Sequence, residues 1–340
     1  MTGPSVQPDR TPASKRDAGI DTAAGILIVL VVFGHAIEPL EGHLAETVLQ
    51  WVFLFHMPAF VFVSGYVTRY STRWSPRDLV LRLLLPYVIF SLLHAAWRAV
   101  LTDGGFTLSL LTPAWTLWYL MALLVWRIAA PALQKIPVAA AVGLAVAGSL
   151  LIGMVGWVGS ELSLSRIVAF LPFFVAGLTW RDSWWPELRR TGVRVAAATA
   201  LAVAFAWSWR TQEDLNRSTL FLSSGYEDLG VWEPLGLAQR ALVLAIGGAL
   251  TVSVLSLTGL AKPWLASVGA ATLPVYLLHP LVLYPSRVHG LPDVMPEAAW
   301  LGVLAVGALG FAWLVTRGTA IRLSRPLMDA RWWERRVRRS

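Results

Sequence analysis

Long runs of apolar residues recur along almost the whole chain and are separated by short polar segments. A helix needs about 20 mostly apolar residues to cross the roughly 30 Å hydrocarbon core of a bilayer. Ten runs approach that length, so the pattern predicts an all-α, polytopic transmembrane bundle of about ten helices. The predicted spans are residues 22–39, 44–67, 79–100, 113–130, 137–157, 162–180, 193–209, 236–259, 264–286 and 296–316.

The distribution of basic residues predicts how these helices are oriented. Short loops rich in Lys and Arg stay in the cytoplasm. If the chain starts in the cytoplasm, 22 of its 28 Lys and Arg residues fall on cytoplasmic segments and 6 on outer ones. We therefore predict that the N- and C-termini are both cytoplasmic and that the protein is a multi-pass protein of the cell (inner) membrane.

The chain divides into one membrane domain and two tails. Residues 1–16 are polar and predict a disordered cytoplasmic tail, whereas the basic residues 317–340 predict a cytoplasmic tail attracted to anionic headgroups. Residues 17–316 form the predicted transmembrane domain. A signal peptide is the alternative for the first apolar run, but no convincing small-residue cleavage site follows it, which favours a retained helix.

Composition excludes several classes of protein. Of the 340 residues, 56% are hydrophobic and only 14% are charged, whereas a soluble domain carries about a quarter charged residues. The net charge of +8 lies in short loops between apolar runs, so it does not form the basic face that binds nucleic acid. The chain has no cysteine, which excludes disulfides and thiol catalysis.

Ionisable side chains inside a bilayer are costly and therefore mark functional sites. The candidates are His35, His56, His94 and His279, with Arg82 near the inner end of the third span. At a rise of 1.5 Å per residue, His35, His94 and His279 are predicted to lie in the outer half of the membrane. A neutral imidazole in a helix interface is the alternative for each, and we adopt it for His94. A metal site is not expected, because the histidines lie on different helices without acidic partners at ligand spacing.

Several short motifs occur in an order that resembles the acyltransferase 3 family of membrane proteins, especially its fucose 4-O-acetylase-like branch. The likeness covers about residues 17–316. Each motif alone is weak, but the series in this order is specific. The motifs are Asp21 to Phe-Gly-His35, Phe55-His-Met-Pro to Ser-Gly-Tyr66, Arg82-Leu-Leu-Leu-Pro-Tyr87, Leu117-Trp-Tyr-Leu120, Leu171-Pro-Phe-Phe-Val-Ala-Gly177 and Tyr276-Leu-Leu-His-Pro280.

This resemblance implies transfer of an acyl group, usually acetyl, from cytoplasmic acyl-CoA to a hydroxyl of a sugar, glycan or lipid-linked acceptor. Acyl-CoA is then a co-substrate, and no bound cofactor is implied. His35 matches the family's proposed catalytic histidine, which acts as a general base or carries the acyl group itself. Asp21 is retained on the same helical face and joins the catalytic prediction. We assign Glu38 to the outer membrane boundary rather than to His35.

One departure from the family concerns the donor. The family usually places Arg or Lys eleven residues before the histidine, and this chain has Ala24 there. Arg73, Arg77 and Arg82 are the predicted replacements that bind the CoA phosphates. Anchoring of a cytoplasmic loop by its positive charge is the alternative for these arginines, and we favour the binding role for Arg82. Pro86 predicts an irregular helix start around Arg82 that lines a cavity. The loss of the basic residue leaves an inactive family member as an alternative.

The remaining polar side chains in the motifs are assigned to the substrates. The predicted substrate-binding residues are His56, Arg82, Tyr119, Tyr276 and His279. A polysaccharide or small-molecule exporter is the alternative of a different class. Exporters commonly carry intramembrane carboxylates or broken helices in two related halves, and the sequence indicates neither.

Overall fold

The computed structural model describes residues 18–70, 75–155, 163–213, 217–328 and 332. These residues form helices joined by short loops, and no β-strand occurs among them. This confirms the predicted all-α class. The α-helices are α1 (Ala18–Ile37), α2 (His43–Arg69), α3 (Pro76–Leu79), α4 (Leu85–Leu101), α5 (Trp118–Leu133), α6 (Val138–Leu151), α7 (Leu164–Ala169), α8 (Leu171–Leu178), α9 (Trp185–Leu188), α10 (Thr191–Thr211), α11 (Arg217–Phe221), α12 (Glu233–Leu257), α13 (Trp264–Gly269), α14 (Thr272–His289), α15 (Glu297–Val315) and α16 (Gly318–Met328).

Within the described ranges, six helices are long and apolar enough to cross a membrane. They are Gly19–Ile37, His43–Arg69, Arg77–Leu101, Thr191–Thr211, Glu233–Leu260 and Glu297–Val315. Two shorter apolar helices, Trp118–Leu133 and Val138–Met154, coincide with the fourth and fifth predicted spans. Every predicted span therefore overlaps helical structure, while the count of ten membrane crossings stays a prediction.

The sixth and ninth predicted spans are each broken into two helices. The first break separates α7 from α8 and is followed by Pro172, and the second separates α13 from α14 and is followed by Pro274. Proline lacks the N–H that would continue the preceding helix, and its ring clashes with the carbonyl four residues earlier. These prolines therefore account for the interruptions.

Glycines allow backbone contact at two helix crossings near the centre of the bundle. A Cβ at Gly65 of α2 would collide with the carbonyl oxygen of Phe174 in α8, and a Cβ at Gly177 would collide with that of Phe62. The pair Gly25 and Gly269 plays the same part between α1 and α13. Small residues at such crossings let membrane helices approach closely, which stabilises the bundle by van der Waals packing.

We expect Gly177→Ala to lower the free energy of unfolding of the purified protein by about 1–3 kcal/mol, the usual cost of overpacking a filled site. The matched control is Gly302→Ala in α15, where an added Cβ meets no atom within 4 Å. Thermal unfolding in detergent measures both variants. An equal midpoint for the two variants would contradict the close packing of α2 against α8.

Candidate active site

Two cavities lie at different levels of α1. The larger, about 1000 Å³, is lined by His35 and is called the His35 cavity. The smaller, about 710 Å³, is lined by Ala24 and Arg82 and is called the Arg82 cavity. Since eleven helical residues separate Ala24 from His35, the two linings lie about 16 Å apart along α1. The cavities thus approach one helix at two levels.

The imidazole of His35 is held in a fixed orientation. Its Nδ1 lies 2.5 Å from Oε1 of Glu38, and both side chains are mostly buried. A carboxylate only accepts hydrogen bonds, so Nδ1 donates to Glu38, and Nε2 is the ring nitrogen that does not contact this carboxylate. The ring also packs edge-on against Phe53 and Trp115, at centroid distances of 5.8 and 5.1 Å.

Glu38 belongs to this site, so the prediction that it does not orient His35 was wrong. It follows the last residue of α1, and its second carboxylate oxygen accepts a hydrogen bond from Arg287 of α14. The Glu38 carboxylate thus contacts the imidazole through one oxygen and the Arg287 guanidinium through the other, and this placement orients His35.

Trp115 is placed by an unusual backbone conformation. Its φ of 37° lies in the left-handed region that bulky residues rarely adopt. The side chain lines the His35 cavity, and the guanidinium of Arg287 lies 4.5 Å from its ring centroid. The next carbonyl, that of Thr116, accepts a hydrogen bond from the hydroxyl of Tyr276. This strained segment links the wall of one cavity to the wall of the other.

The two other histidines assigned to substrates occupy different positions. His56 lines the His35 cavity, and its Nδ1 donates to the carbonyl oxygen of Val52 at 2.9 Å. His279 is fully buried and lines neither of the two cavities. Its ring stacks on His35 at 5.6 Å, and its Nε2 has no hydrogen-bond partner. His279 therefore packs behind His35 rather than facing either cavity.

The Arg82 cavity is rich in arginine. Arg82 lies in a π-helical turn, Val80–Leu84, which precedes Pro86 and is the irregular helix start that the sequence predicted. Arg127 of α5 and Arg325 of α16 line the same cavity. Ala24 faces these arginines, so the basic residue missing from this position would have lain among them. Three other cations therefore occupy the region of the missing charge.

Tyr119 and Tyr276 line the Arg82 cavity. Their ring centroids are 5.6 Å apart, and Tyr276 lies 6.0 Å from His279, which in turn stacks on His35. The hydroxyl of Tyr119 is hydrogen-bonded to Ser64 of α2. Two rings in series, Tyr276 and His279, thus connect the wall of the arginine-lined cavity to the catalytic candidate.

The remaining predicted site residues lie elsewhere. Asp21 lines neither cavity, and its backbone carbonyl packs against Gly269 of α13. Arg77 is exposed and also lines neither cavity. Arg73 lies outside the described residues. The catalytic role of Asp21 and the donor-binding roles of these two arginines stay predictions.

Three arginines that lie at least three residues inside the ends of predicted spans are absent from the sequence-based candidates. Arg127 lines the Arg82 cavity and Arg166 lines the His35 cavity. Arg240 is buried and donates to the carbonyl oxygens of Ser149 and Ser224, at 3.1 and 2.8 Å. The signal for all three was available, because a charged residue inside a span marks a polar site by itself.

The polar groups of the site do not form a cluster for a metal. No group of three His, Asp or Glu side chains within the described ranges has the arrangement of a metal site. The charged and titratable groups that line the two cavities include imidazole, carboxylate and guanidinium groups.

Comparisons with known proteins give a family and partial relatives. The nodulation protein NolL of Sinorhizobium fredii is 30% identical over 129 residues, covering 32% of this chain and 35% of that protein. NolL of Mesorhizobium japonicum is 31% identical over 87 residues, covering 23% of each. No solved structure matches the chain significantly.

The family model described as an acyltransferase domain, that of acyltransferase 3, matches residues 17–317. This match confirms the resemblance carried by the sequence motifs and extends over nearly all of the helical bundle. The chain therefore belongs to the acyltransferase 3 family of membrane-bound acyltransferases.

Proposed function

We propose that the protein is an O-acyltransferase that moves an acyl group, acetyl in the first instance, from cytoplasmic acyl-CoA to a hydroxyl of a sugar, glycan or lipid-linked acceptor. One observation carries the proposal. A histidine oriented by a carboxylate lines one cavity, while an arginine-lined cavity reaches Tyr276, whose ring contacts His279, which stacks on that histidine.

In this proposal the Arg82 cavity receives the donor. Guanidinium groups bind phosphates through paired, charge-assisted hydrogen bonds, and CoA carries several phosphates. Arg82, Arg127 and Arg325 supply such groups around the position of Ala24. The thioester then extends along Tyr119 and Tyr276 toward His35.

The His35 cavity receives the acceptor. A hydroxyl is a poor nucleophile at neutral pH, and Nε2 of His35 takes its proton as the oxygen attacks the thioester carbonyl. The new ester C–O bond forms, the C–S bond breaks, and the proton passes from the imidazole to the departing CoA thiolate. Glu38 holds the ring and stabilises its protonated form. Asp21 lies in neither cavity, and no step is assigned to it.

A second route uses the same residue as an acyl carrier. Nε2 of His35 then attacks the thioester first, and the acceptor hydroxyl attacks the resulting acyl-imidazole. Mass spectrometry of the protein after incubation with acetyl-CoA and no acceptor distinguishes the routes. An acetyl adduct on His35 supports the carrier, and an unmodified His35 in a preparation that turns over once acceptor is added supports the base.

The experiment that tests the function uses membranes with and without the protein. Acetyl-CoA labelled in its acetyl group is added, and label is measured in the glycan and lipid fractions after mild alkali, which releases O-esters and leaves amides intact. We expect alkali-labile label that depends on the protein. Glycan export from vesicles that contain no acyl donor would instead favour the exporter.

We also propose ten membrane spans with both termini in the cytoplasm of the cell membrane, so that the Arg82 cavity opens inward and the His35 cavity outward. The charge bias of the loops supports this orientation. The chain has no cysteine, so single cysteines can be placed without a background of native thiols. Ser324→Cys places a thiol in the Arg82 cavity, and Ser223→Cys places one in the His35 cavity.

We expect a membrane-impermeant maleimide to label Ser324→Cys in inside-out vesicles and Ser223→Cys in right-side-out vesicles. In the proposed orientation, each thiol lies in a cavity that opens to one side of the bilayer. Labelling of both cysteines from the same side would contradict the proposed orientation.

We expect Glu38→Gln to lower kcat by about tenfold or more, a smaller loss than removal of the base itself, because the amide no longer stabilises the imidazolium form of His35. The donor KM should change little, since Glu38 lines only the His35 cavity. Steady-state kinetics with acetyl-CoA measure the change in kcat and in the donor KM. The matched control is Glu41→Gln, because Glu41 lines neither cavity. A raised donor KM with unchanged kcat would contradict the positioning role.

A further inference from the structure

The His35 cavity contains an arginine, Arg166, whose guanidinium makes no ion pair or hydrogen bond with a carboxylate among the residues that the structure describes. Arg166 of α7 is half-buried, and its guanidinium lies 5.2 Å from the ring centroid of Trp118. It forms no ion pair or hydrogen bond with the described part of the chain. The two other arginines of the cavity differ, because Arg217 pairs with Glu46 and Arg287 pairs with Glu38.

The carboxylates that line the cavity are bonded to other groups. The two oxygens of Glu38 contact His35 and Arg287. Asp228 is exposed, and one of its oxygens accepts from the backbone N–H of Gly225. Within the described residues, Arg166 therefore has no directly bonded carboxylate, and a guanidinium of this kind inside a membrane protein marks a candidate site for an anion.

The walls around Arg166 fit a sugar. Trp115, Trp118 and Phe170 offer flat apolar faces, and Ser163 and Ser223 offer hydroxyl groups. Aromatic rings bury the apolar face of a bound ring, while hydroxyls hydrogen-bond to its polar edge. The fork of the guanidinium matches the two oxygens of a carboxylate or a phosphate.

We propose that the acceptor is an anionic sugar, and that Arg166 binds its carboxylate or phosphate while the hydroxyl to be acylated faces His35. The assignment of the hydroxyl rests on the proposed function. The anion-binding part does not, because it follows from the charge and lining of the cavity alone. Arg166 thereby selects charged over neutral acceptors.

The test measures binding without turnover. The purified full chain is treated with diethyl pyrocarbonate, and the rate of modification of His35 is followed by mass spectrometry in the presence of glucose, glucuronate or glucose 6-phosphate. We expect glucuronate or glucose 6-phosphate to slow the modification at concentrations where glucose has no effect. Protection by glucuronate alone identifies a carboxylate as the recognised group. Protection by glucose 6-phosphate alone identifies a phosphate.

Two variants make the test specific to Arg166. In Arg166→Gln, protection should require about tenfold or more of the anionic sugar, the loss expected for one charge-assisted contact. Arg210 is an exposed arginine outside both cavities, so in Arg210→Gln the anionic sugar should protect His35 at the same concentration as in the wild type. If Arg166→Gln does not fold, Arg166→Lys keeps the positive charge but lacks the paired N–H donors of the guanidinium. In that variant the anionic sugar should protect His35 less than in the wild type.

Equal protection by glucose, or undiminished protection in a folded Arg166 variant, overturns the proposal. Because the readout is not activity, the two proposals fail separately. Anionic protection of His35 without any acyl transfer would overturn the enzymatic function and leave the anion site in place.

Discussion

His35→Gln is expected to lower kcat by about 10²–10⁴-fold, the usual contribution of a general base, and to leave the KM for the donor nearly unchanged. The kinetic split follows from the geometry, because His35 lines the acceptor cavity while the arginines proposed to hold the CoA phosphates line the other. Glutamine retains a polar side chain of similar size but cannot take a proton at neutral pH. Steady-state kinetics in membranes with matched protein levels measure the effect.

The matched control is His289→Gln. His289 is exposed at the end of α14 and lines neither cavity, so its variant should turn over like the wild type. A large loss in both variants would indicate damage to the fold, and thermal unfolding would show it. Wild-type turnover in His35→Gln would remove the imidazole from the mechanism.

Arg127→Gln is expected to raise the KM for acetyl-CoA by about 10- to 100-fold while kcat changes little. Loss of one hydrogen-bonded guanidinium from a phosphate site costs about 1.5–3 kcal/mol. Arg127 is half-buried in the Arg82 cavity, where its interaction with a phosphate is less screened by water than that of an exposed arginine. Acetyl-CoA saturation curves give both constants.

The control for this prediction is Arg190→Gln, an exposed arginine that pairs with Glu187. A second variant tests the position that departs from the family. Ala24→Lys in the Arg127→Gln background should recover part of the donor affinity, because residue 24 lines the same cavity. An unchanged KM in Arg127→Gln, with the cavity intact, would place the CoA phosphates elsewhere.

Much of the helical architecture was predictable from the sequence, because the bilayer imposes long apolar runs. The runs from 22–39 to 296–316 each coincide with helix, and the motif around Arg82 and Pro86 correctly indicated an irregular turn beside a cavity. Helical periodicity also placed Ala24 and His35 on one face of α1, where they line the two cavities.

The contacts of the site were less accessible to sequence reasoning, because they join distant segments. Glu38 was misassigned since its role depends partly on Arg287, 249 residues later, which fixes the carboxylate beside the imidazole. The stacking of His279 on His35 likewise arises only when α14 packs against α1. Arg166 carried a local signal, but the engagement of the Glu38 oxygens by His35 and Arg287 rather than by Arg166 appears only in the folded cavity.

The most direct test of the account is acyl transfer across a sealed membrane. Labelled acetyl-CoA is supplied only outside inside-out vesicles from cells that make the protein, so the donor reaches only the cytoplasmic face. The account predicts alkali-labile label on material enclosed in the vesicles with the wild type, and none with His35→Gln at the same protein level. Equal label with both proteins, or label that appears only after the vesicles are opened, would contradict it.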